Sequence, residues 1–185
     1  TDQHFRLWYT DHALHGDSTR QEDPTRTVSY IGVLHQALRD LAVWVEKGTP
    51  PPASTRYAIN DGQVIVAAKA QERRGIQPVV SVTANGSSKA VVKVGQRVNF
   101  TGTITAPPGA GPVIAAQWDF DGSGQFAQTA KVSGKAGTAT VTASYVFTRP
   151  GTYFPALRGI SQRQGDGKTP YARIQNLGRV RVIVN

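Results

Sequence analysis

The densest group of residues able to do acid–base or metal chemistry is Asp11-His12-Ala13-Leu14-His15-Gly16-Asp17. Imidazole titrates close to neutrality, so a loop histidine can accept a proton and return it. His12 and His15 stand three residues apart between two carboxylates, a donor set that could also converge on zinc. The plain alternative is a pair of ordinary loop histidines. A second group, Asp119-Phe120-Asp121-Gly122-Ser123-Gly124, places two carboxylates two residues apart ahead of a glycine. That supplies oxygen ligands and a tight turn for calcium at Asp119 and Asp121, without the distal glutamate of an EF-hand. A turn closed by Asx hydrogen bonds is the competing reading. His4 and His35 sit in no such pattern, and His35 is expected on the side of a helix.

Composition narrows the chemistry. The 185 residues include no cysteine, which excludes disulfides, thiol catalysis and thiolate metal sites. Charge is uneven: residues 76–185 hold twelve Lys and Arg against Asp119, Asp121 and Asp166, whereas residues 1–75 are balanced. A basic β unit attracts polyanions such as acidic polysaccharide or cell envelope. Its cations are scattered rather than clustered, which argues against nucleic acid. No apolar run reaches the ~18 residues of a membrane helix. The chain begins at Thr1 and contains no Met, and is expected to be the C-terminal part of something longer.

The elements that would position these groups fall into unlike halves. Phe5 to Tyr9 is aromatic-rich and strand-like, and Thr10 to Arg26 is loop chemistry. From Val28 to Lys47, Ile31, Leu34, Leu38, Leu41 and Val45 recur at three- and four-residue steps, predicting a helix with one apolar stripe. Thr27 or Ser29 can cap its start, Gly48 suits a left-handed C-terminal position, and Pro50-Pro51-Pro52 prevents continuation. Nothing obvious in the first 75 residues covers that stripe, so an absent partner is expected. Residues 49–78 read as a Pro-rich linker with a small hairpin around Asp61-Gly62.

Beyond Val79 the texture becomes alternating. Strands are expected at 79–84, 90–94, 97–105, 113–120, 139–147, 152–161 and 180–184, with Asn85-Gly86, Pro107-Pro108-Gly109 and Arg149-Pro150-Gly151 as turns. Seven short strands in about 105 residues suit a two-sheet sandwich. Asn85 and Asn99 begin glycosylation sequons by pattern, in a turn and a strand respectively, and are taken as chance.

Two segments of residues 79–185 resemble the polycystic-kidney-disease (PKD) family. Ala116-Gln117-Trp118-Asp119-Phe120-Asp121-Gly122 is similar to that family's strand ending in Trp-Asp-Phe. Ala143-Ser144-Tyr145-Val146-Phe147 with Arg149-Pro150-Gly151-Thr152-Tyr153 is similar to its aromatic strand and Pro-Gly turn. The resemblance implies an extracytoplasmic, Ig-like β-sandwich with Trp118 and Tyr153 in its core, each hydrogen-bonding through its polar end. Asp121-Gly122-Ser123-Gly124 departs from the family's usual Gly-Asp-Gly turn.

Residues 1–48 resemble the end of an α/β-hydrolase, with a strand, a His-bearing loop and a final helix closing in Trp44-Val45-Glu46-Lys47-Gly48. That resemblance implies His15 as the triad base, clear of the strand and followed by Gly16, with His12 as the alternative. No Gly-x-Ser-x-Gly elbow is present, so Ser and Asp/Glu would come from an upstream domain or chain. The expected fold is therefore mainly β, an Ig-like sandwich preceded by a strand–loop–helix piece (1–48) and a linker (49–78). The expected function is the C-terminal part of an exported, esterase-like hydrolase, inactive alone. Its sandwich would serve as a spacer or contact polysaccharide, cell-envelope polymer or a protein partner. The rival is a non-catalytic binding or adhesion module.

Overall fold

In a computed structural model, described here for residues 4–14, 16 and 21–185, alternation along the chain converts directly into two faces. A helix α1 (Ile31–Lys47) comes first, followed by a hairpin of β1 (Tyr57–Asn60) and β2 (Gln63–Val66) and a single turn α2 (Ala70–Arg73). Three strands follow: β3 (Val79–Ala84), β4 (Lys89–Val92) and β5 (Arg97–Thr105). In β5, Val98, Phe100, Gly102 and Ile104 are buried while Arg97, Asn99 and Thr101 face water, as a strand with one covered face requires.

The remaining strands are β6 (Val113–Asp119), β7 (Gln128–Ala130), β8 (Thr138–Val146), β9 (Gly151–Tyr153), β10 (Ala156–Ser161), β11 (Ile174–Arg179) and β12 (Arg181–Val184). One antiparallel sheet runs β3-β5-β8, and a second runs β11-β10-β6-β7. A separate three-stranded sheet, β4-β12-β9, is formed where the chain on either side of Phe154-Pro155 and Val180 pairs again, with β4 parallel and β9 antiparallel to β12. The protein is thus mainly β, an Ig-like sandwich, as expected.

Between the sheets the core is aromatic. Trp118 stacks on Phe120 with ring centres 5.5 Å apart, and Phe120 stacks on Tyr145 at 4.9 Å. Gly102 makes room for them, since a Cβ there would lie 2.2 Å from Leu157 Cδ2 and 3.1 Å from Trp118 Cη2. Tyr153 donates its hydroxyl hydrogen to the Arg149 carbonyl at 3.0 Å. Trp118 departs from expectation, because its buried Nε1 has no hydrogen-bond partner. The volume of its ring in the core outweighs an unpaired donor costing about 1–3 kcal/mol.

Both short turns form as their residues dictate. Asp61 and Gly62 have φ of 49° and 71°, and Asn85 and Gly86 have 50° and 80°, the positive values of a type I′ turn. After Asn85-Gly86 the chain changes sheets, for β4 pairs with β12 rather than with β3. The expected strand 152–161 is interrupted at Phe154-Pro155, and two strands were not anticipated, β7 and β11. In β11 a buried Asn176 takes a core position by donating to the Pro78 carbonyl at 2.7 Å. No alternation rule anticipates that residue.

The N-terminal residues differ most from expectation. Phe5 to Tyr9 belongs to no β-ladder. It is held by single bonds instead: the Thr55 amide donates to the Leu7 carbonyl at 2.8 Å, and Trp8 Nε1 to the Pro52 carbonyl at 3.2 Å. The stretch read as a linker contributes buried Thr55, Arg73, Ile76 and Gln77. It is packed chain, apart from the exposed hairpin.

Helix α1 rests on the sandwich by the face opposite to its apolar stripe. Gly32, Val33, Gln36 and Asp40 are buried, whereas Leu34, Leu38, Leu41 and Val45 are 46%, 67%, 53% and 78% exposed. Val33 shares a small core with Ile76, Ala110 and Ile174, against which Trp8 packs. Gly32 permits the contact, because a Cβ there would lie 2.0 Å from the Arg173 carbonyl oxygen. Asp40 forms an ion pair with Arg163 and accepts from Gln36 Nε2 at 2.9 Å. The Ala172 amide donates to His35 Nδ1 at 3.3 Å, so His35 also faces the sandwich. The start of the helix departs too: Ser29 Oγ accepts from the Ile31 amide at 3.3 Å, one residue before the cap position Tyr30. Gly48 ends it in the left-handed region as expected.

Candidate functional site

The Asp11–His12 loop is an interlock between the N-terminal segment and β11. His12 adopts φ 62°, a left-handed value that a non-glycine residue holds only when its surroundings fix it. The surroundings do so. The His12 amide donates to Asp11 Oδ1 at 3.1 Å, and its Nδ1 lies 2.9 Å from Asn176 Oδ1. Because Asn176 spends its NH2 on Pro78, its oxygen faces His12 and Nδ1 is the donor. Gln77 ties the same loop twice, accepting from the Asp11 amide at 2.8 Å and donating to the Asp11 carbonyl at 2.9 Å. Arg73 approaches Asp11 at 3.5 Å. Burial pulls the Arg73 pKa below its ordinary value, and the Asp11 carboxylate opposes that shift.

These bonds fix where His12 sits in the fold. No Ser, Thr or Cys side chain hydrogen-bonds its ring among the described residues, and residues 5–9, expected as a strand, form none. His15, the preferred triad base, lies outside the described residues, as does Asp17 of the zinc reading. No group of three His, Cys, Asp or Glu residues able to hold a metal exists among the described residues.

Asp119 and Asp121 form a turn rather than a cage. Asp119 Oδ1 accepts from the Gly122 amide at 2.6 Å, and its Oδ2 from the Ser123 hydroxyl at 3.0 Å. Asp121 Oδ1 accepts from the Ser123 amide at 3.1 Å. The Ser123 hydroxyl and amide hold the Asp121 carboxyl below its usual pKa. These bonds close the turn, and no third His, Cys, Asp or Glu stands with Asp119 and Asp121 as a metal-holding group among the described residues.

What the molecule does present is an apolar surface. The stripe of α1 runs alongside Phe5 and Trp44, where the Arg6 guanidinium lies over the Trp44 ring at 4.9 Å. A groove of about 360 Å³ separates Phe5 and Trp8 from Leu34, Ala37 and Leu41. The helical periodicity was readable in sequence. Its exposure was not, because a stripe of leucines predicts burial. Among the described residues, no helix is long and apolar enough to cross a membrane.

No protein-family model matches the chain, and no curated protein matches it. Among solved structures it is similar to the CARDB domain of the PF1109 protein from Pyrococcus furiosus, crystallised in complex with di-metal ions. The match has 16% identity and a TM-score of 0.40, over 58% of this chain and 92% of that one. It is also similar to the PKD domain of an M14-like peptidase from Thermoplasmatales archaeon SCGC AB-540-F20, at 17% identity and a TM-score of 0.41 over 60% and 98%. By its own topology the chain is an Ig-like β-sandwich with a helix docked on its flank.

Proposed function

We propose that this chain is a non-catalytic accessory module of an exported protein, joined to its protein partner through the apolar face of α1. The observation that carries the reading is the inverted helix. Its small and polar face belongs to the sandwich through Gly32, Val33 and the Asp40–Arg163 pair, which supports one module rather than a hydrolase fragment followed by a separate domain. Its aliphatic face is left over, and an apolar patch of this kind on a module surface marks a protein contact. The occupant is an apolar surface of an adjoining domain or chain, since leucines with Phe5 and Trp44 at the edge offer no polar pattern for a sugar or phosphate. Export follows from the resemblance to PKD modules.

Amide exchange on residues 1–185 tests the reading. The docked face predicts that α1 amides are protected together with β11 and that the chain melts in one transition. Exchange of α1 at the rate of a free peptide, while β5 and β6 stay protected, would refute it. The double variant Leu38→Glu/Leu41→Glu is expected to keep the melt, because both side chains are exposed on the free chain. Loss of the fold instead would mean that the stripe is core.

A further inference from the structure

On the outer face of the second sheet, Gln117, Arg158 and Leu177 stand abreast on β6, β10 and β11. Residues 21–28 cross that face and seat Val28 against Phe126, Ala156 and Leu177. Beside this contact they leave a polar cleft of about 420 Å³, whose lining includes Arg158, Gln175, Ser123, Gln125, Thr27 and Glu22. Apart from Ser123, in the Asp119–Gly124 turn, these residues carry no signal of a site in the sequence, because the cleft joins residues more than a hundred positions apart.

Arg158 is the feature that calls for a ligand. Its guanidinium lies over the Phe126 ring at 4.2 Å, and Nε and Nη2 both donate to Gln117 Oε1 at 3.2 and 2.9 Å. Ring and carboxamide fix the plane of the fork. Among the described residues no carboxylate pairs with it, and Nη1 has no hydrogen-bond partner. Burial pulls its pKa down, the like charge of Arg173 adds to this, and Asp119 opposes both. A held, half-buried and unpaired guanidinium is preorganised for an anion.

We propose that this cleft binds a uronate unit of an acidic polysaccharide, with Arg158 clamping the sugar carboxylate. A planar guanidinium fork matches a carboxylate, and the carboxamides of Gln125 and Gln175 can donate to and accept from the ring hydroxyls around it. The volume falls within the range of small-ligand pockets. The excess of twelve basic over three acidic residues in 76–185 draws a polyanion toward this half of the molecule. Glu22 and Asp119 are the opposing charges. Glu22 is exposed, where water screens it, and Asp119 is engaged by the Gly122 amide and Ser123 hydroxyl, whereas Arg158 is half-buried with Nη1 free of these bonds.

Calorimetric titration of residues 1–185 with trigalacturonate, a neutral trisaccharide and sulfate tests the proposal. Trigalacturonate is expected to bind saturably at low salt and the neutral sugar not to bind. Arg158→Gln should weaken binding by about tenfold or more, the scale of a lost charge-assisted hydrogen bond. Because that variant removes packing on Phe126, Gln125→Glu provides a second reading. Its exposed side chain brings a repelling charge to the cleft, and should weaken binding several-fold with the melt unchanged. The proposal fails if trigalacturonate does not bind. It also fails if sulfate competes equally well, or if the exposed Arg179→Gln, outside the cleft, weakens binding as much as Arg158→Gln. None of these readouts involves α1, so the docking reading stands or falls separately.

Discussion

Replacing Gly32 by Ala sets two physical effects of opposite sign against each other. In an unattached helix, Gly to Ala stabilises by up to about 1 kcal/mol, and by less near an end, where position 32 lies. In the docked helix the new Cβ would sit 2.0 Å from the Arg173 carbonyl oxygen and 2.6 Å from its carbon. Both obstacles are backbone, so no side chain can swing aside. Ordinary contact begins near 3.4 Å, so the helix must retreat by about 1.4 Å, further than close packing tolerates. That retreat loosens Val33 from Ile76 and Ile174 and stretches the Asp40–Arg163 pair. Overpacking of this kind costs about 1–3 kcal/mol, and the helix gain offsets less than half of the upper figure. The net expectation is a loss of about 1–2 kcal/mol. At 2–4 °C per kcal/mol for a chain of this size, the melting temperature should fall by roughly 2–8 °C, with faster amide exchange through α1. A melting temperature that stays level or rises would refute the reasoning, because propensity acting alone gives that sign. Leu38→Ala is the control, since at 67% exposed it should change stability by less than about 0.5 kcal/mol.

Asp40→Ala leaves Arg163 partly buried without its counter-charge. Breaking a fully buried pair costs about 3–5 kcal/mol, and the partial exposure of Arg163 reduces the expectation to about 2 kcal/mol in urea unfolding. Gly102→Ala places a methyl group 2.2 Å from Leu157 Cδ2 at the centre of the aromatic core, and should cost about 1–3 kcal/mol with a lower urea midpoint. The depressed pKa of Asp121 supplies stability that is present above the ordinary aspartate value near 3.9 and is lost as pH falls through the folded-state value. Asp121→Asn should therefore lose less stability than the wild type between pH 5 and 2. An identical acid limb would place the cause elsewhere.

Local chemistry made part of this protein legible from its residues alone. Asn85-Gly86 and Asp61-Gly62 declare their turns because few residues accept two positive φ values in succession. The alternation of Val98, Phe100, Gly102 and Ile104 declares β5 and its buried side, and Gly48 declares the end of α1. The burial of Trp118 was equally readable, and the sandwich follows from these elements together. Tertiary structure decided which side of α1 would be covered. Hydrophobic spacing reports only which side gains most from burial. The side that is buried also depends on how closely backbones approach, here through Gly32 against Arg173, and on which charges meet, here Asp40 and Arg163. The same holds for His12, whose neighbour Asn176 lies 164 residues along the chain, and for Arg158, whose cleft exists only once residues 21–28 cross the sheet. Spacing along a chain encodes contacts within one element, whereas a site assembled from distant segments is encoded only in the packing that brings them together.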